Sequence, residues 1–285
     1  MLKLSINTGF GCPNRDGTKS TEGCIFCSEN GSASYTSLEI SDIHDQMRKA
    51  QTGFIRANVS EKYIAYFQAY TNTYSNIESL KKCYDTALSY PNIFGLMIGT
   101  RPDCIDENIA DLISTYHKTN FELWVEIGMQ SVHNFSLDFL NRKHTFENVE
   151  TAINILSERG INICLHIILG IPGEYWNDIM ETAEIVSSLK INGIKLHHLH
   201  VLKNTTLEKM YLNNEIKLLS STEYFSLVCD FLERTRQDIV IHRLSGDANI
   251  NHLIAPKWGL LKGSVQQGII DEFKRRNSFQ GFLIK

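Results

Sequence analysis

The chain has 285 residues, 42% of them apolar and 21% charged, and a formal net charge of −4 at pH 7. That length buries a large core and suits one α/β domain with a small appendage, while the acidic balance excludes a protein that holds nucleic acid by overall positive charge. No stretch approaches the roughly 18 consecutive apolar residues of a membrane span, and Met1 leads into a strand-like segment rather than a secretion signal, so the expected compartment is the cytoplasm.

In chain order, LKLSINTG (2–9) reads as a strand and a polar, glycine-punctuated loop follows over 10–30. Helical spacing over 38–57 precedes a strand YIAYFQAY (63–70), a helix over 77–89, a strand FGLMIGT (94–100), a helix over 106–118 and a strand FELWVEIG (121–128). A helical pair near 133–159, a strand INICLHIILG (161–170), a helix over 174–190 and a strand GIKLHHLHVL (193–202) complete the regular part. Short strands alternating with longer helices mark repeated βα units and a parallel sheet. Six such units predict a partial (β/α)6 barrel or an open parallel sheet over 1–204. Beyond it, helices near 205–213 and 221–235, a strand DIVIHRL (238–244) and a helix near 262–276 form a small α+β extension, 205–285, packing on the barrel.

Alternation within the strands carries a second message, because successive side chains point to opposite faces. In FELWVEIGMQ the set Leu123, Val125, Ile127 and Met129 is apolar, which leaves Glu126 and Gln130 on the other, inner face with Trp124 and Gly128. The same parity puts Gln68 and Tyr70 together on the second strand, Arg101 at the end of the third, His166 and Gly170 on the fifth, and Lys195 with His197 on the sixth. An unpaired buried polar group costs roughly 1–3 kcal/mol, so this many inward polar groups predict a polar mouth. His198 and His200 point opposite to His197, so the run HHLH does not converge on one metal ion from a regular strand. Lys195, His197, His166, His242 and Arg243 are the candidates for an anionic substrate.

Seven cysteines without a secretion signal predict reduced thiols. Cys83, Cys104, Cys164 and Cys229 sit singly in apolar segments and read as buried fillers. Cys24 and Cys27 form a C-x-x-C, a spacing shared by zinc and redox sites, and Cys12 lies twelve positions earlier in the same loop. A redox dithiol needs only two of these thiols. A structural zinc site takes four ligands, and His44 is the nearest fourth. The basic run Lys274, Arg275 and Arg276, with Lys257 and Lys262 upstream, reads as the solvated face and last turn of a helix.

The run CPNRDGTKSTEGCIFC (12–27) resembles the cluster-binding loop of radical S-adenosylmethionine (SAM) enzymes, with the long first spacing of the subgroup related to the elongator catalytic subunit. YFQAYTNTY (66–74), GTRPDC (99–104), VEIGMQS (125–131), ILGIPGE (168–174), IKLHHLH (194–200) and HRLSGDA (242–248) are similar to that subgroup in the same order, and together resemble its short bacterial members.

The resemblance implies that Cys12, Cys24 and Cys27 hold three irons of a [4Fe–4S] cluster whose fourth iron takes SAM, the source of a 5′-deoxyadenosyl radical. It further implies that Phe26 packs near cluster and adenine, that Gln68, Tyr70 and Thr71 stand where other members bind the methionine amino group, and that Glu126 and Gln130 approach ribose and methionine. Arg101 matches the T-R-P-D turn. Gly170, Pro172, Gly173 and Glu174 match the turn after the fifth strand, with Glu174 beginning the next helix, and His166, Leu199, Val201 and Leu202 complete the SAM surroundings. The implied substrate is tRNA, at the 5-substituent of wobble uridine, from carboxymethylaminomethyl to aminomethyl in transferase- or lyase-like chemistry, with Lys195, His197 and Arg243 on the substrate side. A flavodoxin or ferredoxin is the implied electron donor. A small metabolite or a protein side chain is the alternative substrate, and a non-catalytic iron–sulfur or zinc-binding RNA adaptor the alternative of another class. Members of the subgroup carry a leader before the first strand, where this chain begins almost on it, so an RNA-binding segment is expected to lie outside this sequence.

Overall fold

In a computed structural model the described residues are 1–28, 31, 42–56, 62–246, 248–260 and 262–284. Strand β1 (Leu2–Ile6) is followed by helix α1 (Ile43–Arg56), β2 (Tyr63–Phe67), α2 (Ile77–Leu88), β3 (Ile93–Thr100), α3 (Glu107–Ser114) and β4 (Glu122–Gln130). Then come α4 (Asn134–Phe139), α5 (Phe146–Glu158), β5 (Asn162–Leu169), α6 (Trp176–Ser188) and β6 (Gly193–His198). The remainder holds β7 (Val201–Leu202), α7 (Thr206–Leu212), α8 (Ser221–Glu233), β8 (Val240–Arg243), β9 (Leu253–Ala255) and α9 (Lys262–Arg276). The ends of the first expected helix, 38–41 and 57, and Asp247 of HRLSGDA lie outside the described residues.

The main sheet has seven strands in the order β1-β2-β3-β4-β5-β6-β8, and the pairs β1–β2, β2–β3, β3–β4, β5–β6 and β6–β8 are parallel. The six expected strands are present, and β8 adds a seventh beside β6. Every residue of β2 is buried, as in a parallel sheet covered on both faces. The expected strand over 193–202 is interrupted: β6 stops at His198, and Val201–Leu202 pairs antiparallel with β9 in a separate two-stranded sheet.

Helix starts follow the sequence chemistry. Asn76 and Asp106 accept from the backbone N–H groups of Ser79 and Ile109, and Ser220 with Glu223 forms a reciprocal capping box on α8. The chain divides into two compact units, one of residues 1–21, 29–128 and 148–163, the other of residues 22–28, 129–147 and 164–285. In the first, Leu4, Phe67, Leu80, Tyr84, Leu96 and Val125 are buried, and the Tyr84 hydroxyl donates to Asn72 O at 2.6 Å. In the second, Arg276 closes α9 onto α8 through Asp230 (2.6 Å) and Ser226 (2.6 Å), and Arg275 pairs with Glu272 (2.7 Å). The C-terminal cations are thus paired on and beside their own helix. Cys164 and Cys229 are buried and Cys83 and Cys104 half-buried, all as free thiols.

Candidate active site

In the first unit, Cys12 opens a turn: its carbonyl accepts from the N–H groups of Arg15 (2.8 Å) and Asp16 (3.2 Å). Lys19, further along the loop, reaches Asp103 at 2.6 Å, and Arg101 grips the same carboxylate through two 2.9 Å hydrogen bonds. Burial alone would raise the Asp103 pKa, but the Arg101 hydrogen bonds and charge, with Lys19, outweigh it and hold the carboxyl below its ordinary range. Burial, then the Asp103 charge, pushes the neighbouring Cys104 thiol up to about 12, as expected of a filler.

Gln68, Tyr70 and Thr71 stand beyond β2 rather than on it. Gln68 N still bonds Ile6 O at 3.3 Å, and the chain then turns through Tyr70 in the left-handed region at φ 58°. Parity along a strand therefore does not govern Tyr70. Thr71 is buried, and its hydroxyl has no hydrogen-bond partner among the described residues. An orphaned buried hydroxyl at the place expected to meet the methionine amino group fits a bound polar ligand. Glu126 is buried and accepts from Tyr66 Oη at 2.7 Å and Lys3 Nζ at 3.4 Å. His44 is committed elsewhere: its Nε2 lies 2.7 Å from Thr86 O and its ring meets Tyr90 edge-on.

In the second unit, Cys24 and Cys27 share a turn closed by Cys27 N donating to Cys24 O at 3.0 Å. Phe26 packs against an apolar cluster that includes Leu199, Val201, Ile168 and Leu207. Three expected neighbours of adenine are therefore brought together, although the stretch from 199 onward is not a continuation of β6. Leu202 pairs with Leu253. Gln130 ends β4 at φ 76°, an unusual conformation for a residue other than glycine. Gly170 (φ 82°) and Gly173 (φ 96°) make the turn after β5.

Glu174 does not begin the next helix, which starts at Trp176. Its carboxylate instead accepts from Ser131 Oγ (2.6 Å) and Ser136 Oγ (2.7 Å). Burial pushes its pKa up, and the two hydroxyls pull it partly back.

The substrate-side candidates form a row. His166 on β5 pairs in register with Lys195 on β6, and Lys195 with Arg243 on β8. His197 is two residues farther along β6, its ring 5.3 Å from that of His166. Lys195 is only 1% exposed. Burial, and then the positive charges of His166, Arg243 and Lys195, hold the His197 pKa well below the usual imidazole value, and its Nε2 has no partner among the described residues. His242 precedes Arg243 and is half-buried. As parity predicts, His198 turns away to meet His200 (Nε2–Nε2 2.6 Å), Tyr224 and Trp258.

Sequence reasoning missed Arg142, whose Nη1 lies 3.3 Å from Cys24 Sγ, and the serines around Glu174. Arg142 occurs in a polar interhelical turn, NRKH, and polar turns are common enough that composition alone does not single it out. Three free thiols on polar turns, one beside a guanidinium, have the donor chemistry of an iron–sulfur cluster.

The family model of the radical SAM superfamily matches residues 6–186, and that of the Radical_SAM C-terminal domain matches residues 191–275. The protein YtqA of Bacillus subtilis (strain 168) is 38% identical over 281 residues, covering 99% of this chain and 87% of YtqA. A tRNA uridine(34) acetyltransferase of Methanocaldococcus jannaschii is 26% identical over 161 residues, 54% of this chain and 28% of that protein. Among solved structures, Methanocaldococcus infernus Elp3 with an N-terminal deletion superposes with a TM-score of 0.75 at 16% identity, over 98% of this chain and 64% of that one, and shares its fold. Among the described residues no helix is long and apolar enough to cross a membrane. The chain belongs to the radical SAM superfamily, enzymes of partial-barrel fold that bind a [4Fe–4S] cluster and SAM.

Proposed function

We propose that this radical SAM enzyme acts on tRNA, converting the carboxymethylaminomethyl group at position 5 of wobble uridine to aminomethyl. The observation that carries the substrate is the similarity to a tRNA uridine(34) acetyltransferase over 161 residues. The row of His166, Lys195 and Arg243 across three adjacent strands suits the carboxylate of that side chain.

In this reading Cys12, Cys24 and Cys27 hold the cluster. Thr71, with Gln68 and Tyr70, faces the methionine amino group, Glu126 and Gln130 the ribose and methionine, and Phe26, Leu199, Val201 and Leu202 the adenine, beside the turn Gly170–Gly173. Arg101 supports the cysteine loop through Asp103 and Lys19. The cofactors would supply reductive cleavage of SAM and the hydrogen-abstracting radical, with SAM as the net two-electron oxidant. Loss of a hydrogen atom and then an electron from the carboxymethyl carbon would leave an imine, whose hydrolysis breaks the C–N bond and releases the two-carbon unit as glyoxylate. The chain's own residues bind, orient and exclude water. Lys195 and Arg243 hold the substrate anion. His197, kept neutral by its surroundings, adds no third positive charge beside them and offers its Nε2, unpartnered among the described residues, as a further polar contact. A flavodoxin or ferredoxin supplies the electron, and a target base enters by leaving its stack.

The test is anaerobic reconstitution to about four irons per chain, followed by incubation with SAM, reductant and tRNA bearing the carboxymethylaminomethyl base. Aminomethyluridine in the digested tRNA is the expected product. Release of 5′-deoxyadenosine with unchanged tRNA refutes the tRNA substrate and leaves the radical chemistry standing.

A further inference from the structure

The turn between α4 and α5 holds the Cys24–Cys27 turn at three points. Ile25 N donates to Leu140 O at 3.2 Å, Asn141 Nδ2 donates to Gly23 O at 2.6 Å, and Arg142 Nη1 donates to Cys24 Sγ at 3.3 Å. Two of these bonds come from or reach backbone and fix where the turns meet. The third reaches a sulfur.

Arg142 is itself held. Asn141 and Lys143, on either side of it, both adopt left-handed backbone conformations (φ 54° and 55°). Such residues cost of order 1 kcal/mol or more each and persist where surrounding structure demands them. Arg142 and His144 are 7% and 5% exposed, and Arg142 Nε donates to His144 Nε2 at 3.1 Å. His144 Nδ1 faces Thr145 O at 3.2 Å. With its proton on Nδ1 toward that carbonyl, the imidazole presents Nε2 as an acceptor and sets the plane of the guanidinium.

We propose that Arg142 is a positioning residue for the iron–sulfur cluster. Oriented by His144, it donates a charge-assisted hydrogen bond to the Cys24 sulfur when that sulfur ligates iron, and so raises the reduction potential of the cluster. Reduction adds negative charge shared by the ligating sulfurs, and a fixed positive donor at one of them stabilises the reduced state more than the oxidised one. The inference rests on Cys24 being a cluster ligand.

The test uses the full chain, reconstituted anaerobically, as wild type, Arg142→Met, Arg142→Lys and His144→Phe. Iron content is measured first, then the midpoint potential by an electron paramagnetic resonance titration without SAM. At equal iron content the expected order is wild type highest, Arg142→Lys and His144→Phe intermediate, and Arg142→Met most negative. A potential in Arg142→Met equal to wild type overturns the inference, including the case in which only SAM affinity falls, which would assign the guanidinium to SAM rather than to sulfur. Should Arg142→Met take up no iron, Arg142→Lys and His144→Phe decide: a negative shift supports the proposal and an unchanged potential in both overturns it. A wild-type chain that assembles no four-iron cluster overturns the assignment of Cys24 and this inference with it, an outcome visible before any variant is compared.

Discussion

Lys19 Nζ lies 2.6 Å from Asp103 Oδ2, which ties the loop following Cys12 to the turn following β3, and the same carboxylate holds the buried guanidinium of Arg101. Removing one partner of a buried ion pair costs about 3–5 kcal/mol, because the other charge is left without compensation. Lys19 is partly exposed, so its share is small, and most of the cost falls on Arg101. Asp103→Asn should lose about 3 kcal/mol in urea denaturation at pH 7, and Lys19→Ala less than about 1 kcal/mol.

The same carboxylate sets a pH window. Its folded pKa lies below the unfolded value of about 3.9, so its stabilisation is complete above the unfolded pKa and is lost as pH falls through the folded one. The stability difference between wild type and Asp103→Asn should be flat from about pH 5 upward and should shrink below about pH 4. Denaturation midpoints across that range check it, and a difference that grows on acidification would contradict the assignment.

Glu174 has the opposite sign. Burial raises its folded pKa, so its contribution to stability falls as pH rises from the unfolded value, about 4.3, through the folded one. The two serine hydroxyls that donate to it favour the ionised form. Ser131→Ala should push the carboxyl further up and cost about 1–3 kcal/mol at pH 7, with a smaller cost at pH 4, where the group is protonated. A carbon-13 titration of the Glu174 carboxyl, with stability measured at both pH values, tests this.

Much of this was legible in the sequence because strand parity and βα periodicity are local. The register places side by side His166 and Lys195, which parity had already put on inner faces, and adds Arg243 of β8, to which parity had not been applied; the opposite turn of His198 follows from the same rule. Parity fails where a strand ends: Tyr70 lies past Phe67 in a left-handed turn, and Val201 belongs to another sheet because the chain leaves β6 at His198. Turn residues whose partners are distant in sequence left no local signal. Arg142 is 118 positions from Cys24, and Ser131 is 43 from Glu174. The thiol triplet was readable as unusual, but its meaning came from the collinear motifs around it.

His198 predicts an acid-labile packing element. Burial, then the His200 charge, lowers its pKa to about 3, so the folded state excludes a proton that the unfolded chain takes up near pH 6.5. For a base with a depressed folded pKa, stability rises with pH across the interval between the two values. The protein should therefore lose stability between pH 7 and pH 4. His198→Phe, which keeps a ring against Tyr224 and Trp258, should flatten that slope while forfeiting the bond to His200. Thermal midpoints of both proteins at pH 7, 5.5 and 4 make the comparison. Parallel slopes would exclude His198 as the source.

Gly170 and Gly173 bracket the turn expected beside the adenosine, and alanine at each separates two physical causes. A Cβ at Gly170 meets Leu219 Cδ1 at 2.6 Å and Cγ at 2.8 Å and is strained by φ +82°, whereas at Gly173, φ +96°, nothing lies within 4 Å. Gly173→Ala should carry only the backbone penalty, about 1–2 kcal/mol. Gly170→Ala should add an overpacking cost of about 1–3 kcal/mol. Leu219→Ala in the Gly170→Ala background should recover the overpacking part and none of the backbone part, so a double-mutant cycle returns a coupling of that size. The Gly173→Ala cycle with Leu219→Ala should return none. If the turn approaches bound SAM, Gly173→Ala also weakens SAM binding by more than its small stability loss explains, which calorimetry on the reconstituted protein reads directly. Unchanged SAM affinity in that variant would leave Gly173 with a purely conformational role in linking β5 to α6.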